Sequence, residues 1–471
     1  MTNEHSPISA VSGPPVSRWW GCAPEFRRDT LGFLLRCQVY GDVVKLPMGR
    51  VVELLLRQRD AAMYLLNHPA DVKHVLVTNQ DNYRKGLVPP AESRIFGQGV
   101  LHTEGDTHHR RRRLFLPFFH KHHVTTYSSF ITGTASARVA QWQNGMSIDM
   151  GQEMAHLTLS IIWRLLFGQA LHTNAGLIRE TISAGQRLIK TQYDSILACL
   201  IPLWIPLPQH RRFTRGFQVI EETILRGISE RRRRSEPQDD VLSLLLDTRD
   251  QDGRPLSDGE IRDELITLLL AGHETTANAL TWTWFLLSQA TSVWDRLVCE
   301  LKDVLGDRLP EAADLPRLRY LKMIWDESLR LYPPAWSLHG RLAHKEDRLP
   351  SGAILPPGSL AFISPWNLHR NPRWFPDPTR FDPERFSDSA PRPYPAFTYI
   401  PFGAGRRGCL GESFAELEGL LILATIASQV YLRLCDGQAI HPEPGMTLHP
   451  NIPVLMTVQQ VSSLASSCSV A

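Results

Sequence analysis

The residue best equipped for chemistry is a cysteine in a glycine-rich turn. Cys409 lies in Pro401-Phe402-Gly403-Ala404-Gly405-Arg406-Arg407-Gly408-Cys409-Leu410-Gly411. Adjacent arginines and a following helix N-terminus both favour thiolate over thiol. Glycines clear side chains away, so a flat group can approach the backbone. Such a thiolate can ligate a metal; taken alone, the turn fits a small buried cysteine equally well. The phosphate-cradling pattern G-x-x-x-x-G-K-[ST] is absent. A second cluster, Ala271-Gly272-His273-Glu274-Thr275-Thr276, interrupts an apolar helical run, where glycine and hydroxyls are locally costly. Taken alone, a kinked core helix accounts for it. Glu327 and Arg330 share one helical face. By itself that describes a surface ion pair of about 0–1 kcal/mol. Gly105-Asp106-Thr107-His108-His109-Arg110-Arg111-Arg112-Arg113 reads as a basic amphipathic helix or a nucleic-acid patch.

These residues need elements to hold them. Ser257 and Glu260 form an S-x-x-E capping box, and a helical pattern runs from there to about Gln289. The spacing predicts a helix of about 48 Å that is buried over much of its length. A helix over Leu318–Leu331 stops at Pro333-Pro334, and the last helix runs from Gly411 to about Val430. Further helical patterns cover Ala155–Leu166, Gly176–Lys190, Phe217–Arg231 and Asp239–Leu246. The run Arg231 to Arg234 reads as a solvated helix end. Val43–Leu46, Ala61–Leu66 and the turn-rich Gly352–Trp366 predict short strands, and Asp71–Val77 a short helix. Lys85–Gly105 and His369–Tyr399 read as loops, and long loops inside compact domains usually serve a function.

Lys+Arg 51 against Asp+Glu 48 gives a net charge of +3, which offers no bulk case for nucleic acid. Seven cysteines with no C-x-x-C pair argue against a disulfide framework or zinc cluster. The start of the chain lacks the signal-peptide pattern. Ile196–Pro208 (ILACLIPLWIPLP) is too short to span a bilayer; it reads as a lipophilic entrance or a packed loop. No stable membrane insertion and a cytoplasmic location are expected.

The cysteine turn matches F-x-x-G-x-R-x-C-x-G at Phe402, Gly405, Arg407, Cys409 and Gly411, and resembles the haem-binding loop of the cytochrome P450 family. The other motifs match the same family in order, over roughly Tyr40 to Val458. The resemblance implies haem b (iron protoporphyrin IX) with Cys409 as its thiolate ligand, Phe402 beside the sulfur and Arg407 on a propionate. Glu327 and Arg330 match E-x-x-R. With Arg385, from Phe381-Asp382-Pro383-Glu384-Arg385-Phe386, they imply a buried scaffold. Ala271 to Thr276 matches [AG]-G-x-[DE]-T-[TS], implying a helix that widens over the oxygen-binding face. Ala271 and Gly272 would lie against cofactor and substrate there, Thr275 would hydrogen-bond oxygen or its water, and Glu274 would relay protons. His273 would point away. Counting back from Pro117 puts His108 and Arg112 on propionates, with His109 and Arg113 as the out-of-register alternative. The remaining arginines would face solvent and an acidic redox partner. The resemblance also implies Arg341 as a further propionate contact. Pocket walls are expected near 86–105, 173–205, 267–275, 335–340 and Met446–Pro453.

The implied fold is mainly α with a small β region. It comprises a flexible lead (1–30), one catalytic domain (31–460) and a disordered tail (461–471). The implied function is monooxygenation of an apolar small molecule, a fatty acid, terpenoid or other secondary metabolite, by hydroxylation or epoxidation with O2. Electrons would come from a ferredoxin and its reductase. The rivals are a peroxygenase, isomerase or dehydratase, and a non-catalytic haem sensor. Intact Glu274 and Thr275 argue against all of these.

Overall fold

Alternation of apolar residues in two short strands sets up a sheet with two covered faces. Val44, Leu46 and Leu65 join Phe33 and Leu34 in one apolar cluster. Val43, Tyr64 and Leu66 join Val72, Val75, Ile363 and Leu368 in another. Successive strand side chains point to opposite faces, so both sides can be buried. The computed structural model describes residues 11–56, 62–86, 88–169, 175–194, 198, 201, 203–205, 207–233, 238–249, 253–388 and 394–460. The chain divides into two compact units.

The first unit comprises Met1–Val88, Leu329–Phe381 and Ser389–Cys409. Its five-stranded sheet runs in the order Val43–Pro47, Ala62–Leu66, Leu360–Phe362, Arg341–Ala343, Tyr83–Lys85. Ala62–Leu66 and Leu360–Phe362 are parallel, and the other pairs are antiparallel. Helix Ala23–Arg28 is formed where the sequence suggests a mobile lead up to residue 30, and helix Thr30–Cys37 follows it. Phe33, Leu34 and Cys22 have apolar surface to bury against Val44 and Leu46, which anchors them.

The second unit comprises Pro89–Ser328, Asp382–Asp388 and Leu410–Ala471 and is mostly helical. Its axis is Asp258–Leu287, a helix of 30 residues packed on Met150–Phe167. The Ser257–Glu260 capping box is formed in both directions. The 16-residue helix Glu412–Ala427 is buried on nearly every face and packs on Ser128–Val139 and on the long helix. Ser147–Asp149, Leu455–Gln460 and Val430–Leu434 make a three-stranded antiparallel sheet, and Pro442–Pro444 pairs with Leu448–Pro450. The fold is mainly α with small sheets, as the residue patterns indicate.

Two readings are corrected. The stretch read as a loop from Lys85 to Gly105 holds a helix at Pro90–Phe96, whose Ala91, Ile95 and Phe96 are buried. Arg231 does not belong to a solvated run: it is buried on Asp240 (2.7 Å) and the Phe167 carbonyl (2.7 Å). Residues 1–10 and 461–471 and much of the Ile196–Pro208 run lie outside the described residues.

Candidate active site

Backbone conformation fixes the cysteine turn in the first unit. Gly403 and Gly405 have φ of 68° and 70°, which disfavours L side chains. A Cβ on Gly405 would also meet the Leu76 carbonyl at 2.0 Å. The Cys409 N–H donates to the Phe402 carbonyl at 2.8 Å, closing the turn. Arg406 is engaged by Asp81 through an ion pair, while Arg407 is half-buried. Cys409 is exposed, whereas Cys22 and Cys37 are buried, and burial pushes those two thiols up to about 11 and about 12. Arg341, on its strand, is 9% exposed and donates to the His339 carbonyl at 2.7 Å.

In the second unit the long helix carries Ala271 to Thr276. Ala271 is exposed at mid-helix, and Gly272, Glu274 and Thr275 are part-exposed, although the helix is otherwise mostly buried. The helix stays α throughout, so the expected local widening is not seen. Instead the Thr275 hydroxyl donates to the Ala271 carbonyl at 2.6 Å. A Cβ on Gly272 would meet Ile162 Cδ1 at 2.9 Å, so its missing side chain serves close helix packing. His273 is buried against the Thr158 hydroxyl at 3.0 Å and does point away.

Glu274 is held by two groups that sequence reasoning missed. Thr447 donates to one carboxyl oxygen at 2.6 Å, and Gln186 donates to the other. Burial pushes the carboxyl above its ordinary range, against the pull of Thr447, His449 and Gln186. Thr447 lies between two hairpin strands, and Gln186 lines a small apolar cavity. Ile95, Phe96, Ile182, Leu269 and Met446 come from the expected wall segments, and Phe213, Phe217 and Ile220 are additional. Among the described residues of its walls only Gln186 and Thr181 carry polar side chains, and the Thr181 hydroxyl donates to the Leu177 carbonyl at 2.8 Å.

His108 is buried on helix Gly105–Phe115, with Arg112 one turn on and half-buried, while Arg113 is exposed. Arg111 does not face a solvent-borne partner. It pairs with Glu264 at 2.6 Å and Glu260 at 3.2 Å on the long helix. Glu418 was not read from sequence at all. It is fully buried, no described residue is in hydrogen-bond geometry with either carboxyl oxygen, and burial pushes it well up against a small pull from Thr276.

The E-x-x-R helix, Arg319–Leu331, buries both charges completely. Glu327 accepts from the Asp382 N–H at 2.9 Å and faces Arg385 at 3.4 Å. Arg330 donates to the carbonyls of His369 (2.9 Å), Pro378 (2.8 Å) and Arg380 (3.2 Å). His369, also fully buried, accepts from the Ile400 N–H at 2.9 Å. Burial, then Arg330 and Arg370, lower it to about 3, so it is neutral. These side chains fasten the proline-rich loop to the helix.

No group of three or more His, Cys, Asp or Glu able to hold a metal ion occurs among the described residues. An exposed cysteine in a glycine turn fits haem, which brings its own further ligands to the metal.

A family model described as Cytochrome P450 matches residues 21–457. "Cyclooctatin synthase" of Streptomyces melanosporofaciens is 35% identical over 93% of this chain and 93% of its own length. "Cyclooctat-9-en-7-ol 5-monooxygenase" of the same organism is 33% identical over 94% and 95%. "Pentalenene oxygenase" of Streptomyces avermitilis is 32% identical over 88% and 89%. The crystal structure of the cytochrome P450DA heme domain superposes with a TM-score of 0.82 at 22% identity, covering 96% of this chain and 97% of that one.

Proposed function

This chain belongs to the cytochrome P450 family, and on that premise we propose that it hydroxylates or epoxidises a ring-bearing terpenoid, either a hydrocarbon or its mono-alcohol. It is an oxidoreductase, a monooxygenase of that family with the family's haem-thiolate cofactor. Our reading makes the cofactor haem b and residues 31–460 one catalytic domain. Haem, when bound, supplies the oxygen-activating chemistry. In this proposal Cys409 ligates it, Phe402 flanks the sulfur, Arg407, Arg341, His108 and Arg112 bind its propionates, and Ala271 borders it.

The remaining steps belong to protein side chains. The Glu274 carboxyl, whose protonated form burial favours, gives its proton to a water, and the Thr275 oxygen accepts a hydrogen bond from that water and holds it in place. The Thr275 oxygen keeps its lone pairs for accepting, because its proton is directed at Ala271. For Glu274 to act it must leave Gln186 and Thr447. The apolar walls keep other water out, so that proton is the one delivered.

The observation that carries the substrate class is the cavity: apolar walls broken by one amide, that of Gln186. Pentalenene and cyclooctat-9-en-7-ol, named in two relatives, are chemically of that kind. Exposed Arg110 and Arg113 support an acidic electron donor, which we take to be a ferredoxin with its reductase. No described helix is long and apolar enough to cross a membrane, and our reading places the chain in the cytoplasm. The test is a screen of haem spin-state shifts with cyclic terpenes, their alcohols and linear fatty acids, followed by turnover with surrogate redox proteins. Terpenoid-specific shifts and oxygenated products are expected. A response to fatty acids alone would overturn the substrate class.

A further inference from the structure

In the first unit, the stretch that seats the cysteine turn is drawn together by one buried carboxylate. His74–Thr78 forms a single turn of π-helix, closed by the Asn79 N–H on the His74 carbonyl at 2.8 Å. Such widened turns are rare and recur at functional sites. The chain continues through Gln80–Asn82 into the strand Tyr83–Lys85. Both ends of this stretch reach Asp347, on the short strand Asp347–Arg348. His74 Nε2 lies 3.0 and 3.1 Å from its two oxygens, and the Tyr83 hydroxyl donates to Oδ2 at 2.5 Å. Burial raises the Asp347 carboxyl, but hydrogen bonds from Tyr83, His74 and Asn79 outweigh it and hold the group below the ordinary aspartate range. The carboxylate can only accept, so His74 carries a proton on Nε2 and donates it.

Asp347 is 6% exposed, and its partner Tyr83 belongs to one apolar cluster with Val75, Leu76 and Leu349. An apolar side chain of similar size would fill that place without desolvating a charge. What the carboxylate adds is direction, because donors from both ends of one stretch converge on it. The same stretch carries the cysteine turn. The Leu76 carbonyl lies against Gly405, where it leaves no room for a Cβ. Gln80 Oε1 accepts from the Arg406 N–H at 3.2 Å, and Asp81 pairs with the Arg406 guanidinium. Gly405 and Arg406 lie inside the turn that the Cys409 N–H closes on the Phe402 carbonyl.

We infer that Asp347 is a positioning residue for Cys409: it closes residues 74–83 into a clip, and the clip holds the glycine turn that presents the sulfur. It acts through Leu76, Gln80 and Asp81. Without it, His74 and Tyr83 are free to separate and the turn loses its support. The inference rests on the reading of Cys409 as the haem ligand.

The test uses the haem-loaded full-length protein, reduced under carbon monoxide. The red-shifted Soret band of thiolate ligation is followed over time at one temperature, and melting is recorded separately. Asp347→Asn keeps the shape and removes the charge. It is expected to load haem and to lose the thiolate band about tenfold faster than the parent. His74→Leu and Tyr83→Phe are expected to show part of that loss, and His74→Gln, which keeps an N–H, less of it than His74→Leu. Asp240→Asn, which weakens a buried pair with Arg231 in the second unit, is the control. It is expected to melt lower with the parent's band lifetime. Should Asp347→Asn take up no haem, Tyr83→Phe carries the comparison. A band lifetime equal to the parent's overturns the inference. Equal shortening in Asp240→Asn does so too, since the effect would then be a general loss of stability. A haem-loaded parent with no thiolate band overturns the reading of Cys409 itself, and this inference with it.

Discussion

Thr275 and Glu274 stand side by side on one helix, yet their surroundings separate their roles. Thr275 spends its proton on a carbonyl within its own helix, so Thr275→Ala removes little stability, about 1 kcal/mol or less. Electrons and oxygen should still be consumed in that variant. The expected outcome is uncoupling: hydrogen peroxide rises and product per reducing equivalent falls, read by quantifying both with the identified substrate. An unchanged ratio would remove Thr275 from proton delivery. Glu274→Gln takes away the proton itself and is expected to slow turnover by about 100-fold or more. Gln186→Leu releases one clamp on Glu274 and removes the cavity's amide. Binding of a terpene alcohol, titrated by spin shift, should weaken by about five- to tenfold while the matching hydrocarbon is unaffected. Contiguous motifs made Glu274 and Thr275 legible in the sequence. Gln186 and Thr447 were not, because they approach Glu274 from 88 and 173 positions away.

The Arg319–Leu331 helix and the loop it holds depend on buried charge. Removing Glu327 leaves Arg385 and the Asp382 N–H facing a void, so Glu327→Ala is expected to cost about 3–5 kcal/mol in urea unfolding and to lower haem content. Two buried titratable groups then set opposite pH trends. His369 is lowered to about 3 in the fold. As pH falls below the ordinary histidine range, near 6.5, the unfolded chain takes up a proton that the folded chain refuses. Stability is therefore lost between about pH 6.5 and 3, by about 2 kcal/mol at pH 5. His369→Gln retains an acceptor for Ile400 and should flatten that part of the profile. Glu418 is raised, so the reverse holds: above the ordinary glutamate range the unfolded chain ionises and the folded one does not. Glu418→Gln should match the parent near pH 4 and melt higher than it at pH 8. Parallel profiles for parent and variant would contradict either assignment. The sequence pattern showed these helices but not their contents. A lone His or Glu in an apolar run carries no mark of its partners, and Pro90–Phe96 spans only seven residues, too few for periodicity to show.

At the scale of the whole molecule, the haem-thiolate reading was legible because four motifs recur in order, each short and contiguous in sequence. The two-unit division and the three-residue strands were not, since they depend on pairing between distant segments. The packing of Gly272 against Ile162 was not legible for the same reason. The central claim is that one exposed cysteine in a glycine turn ligates the haem iron. The most direct measurement is the absorption spectrum of the dithionite-reduced protein under carbon monoxide, for the parent and for Cys409→Ala. The account predicts the strongly red-shifted Soret band of thiolate ligation in the parent and its loss in the variant. The same red-shifted band in Cys409→Ala, or its absence from a haem-loaded parent, would contradict it.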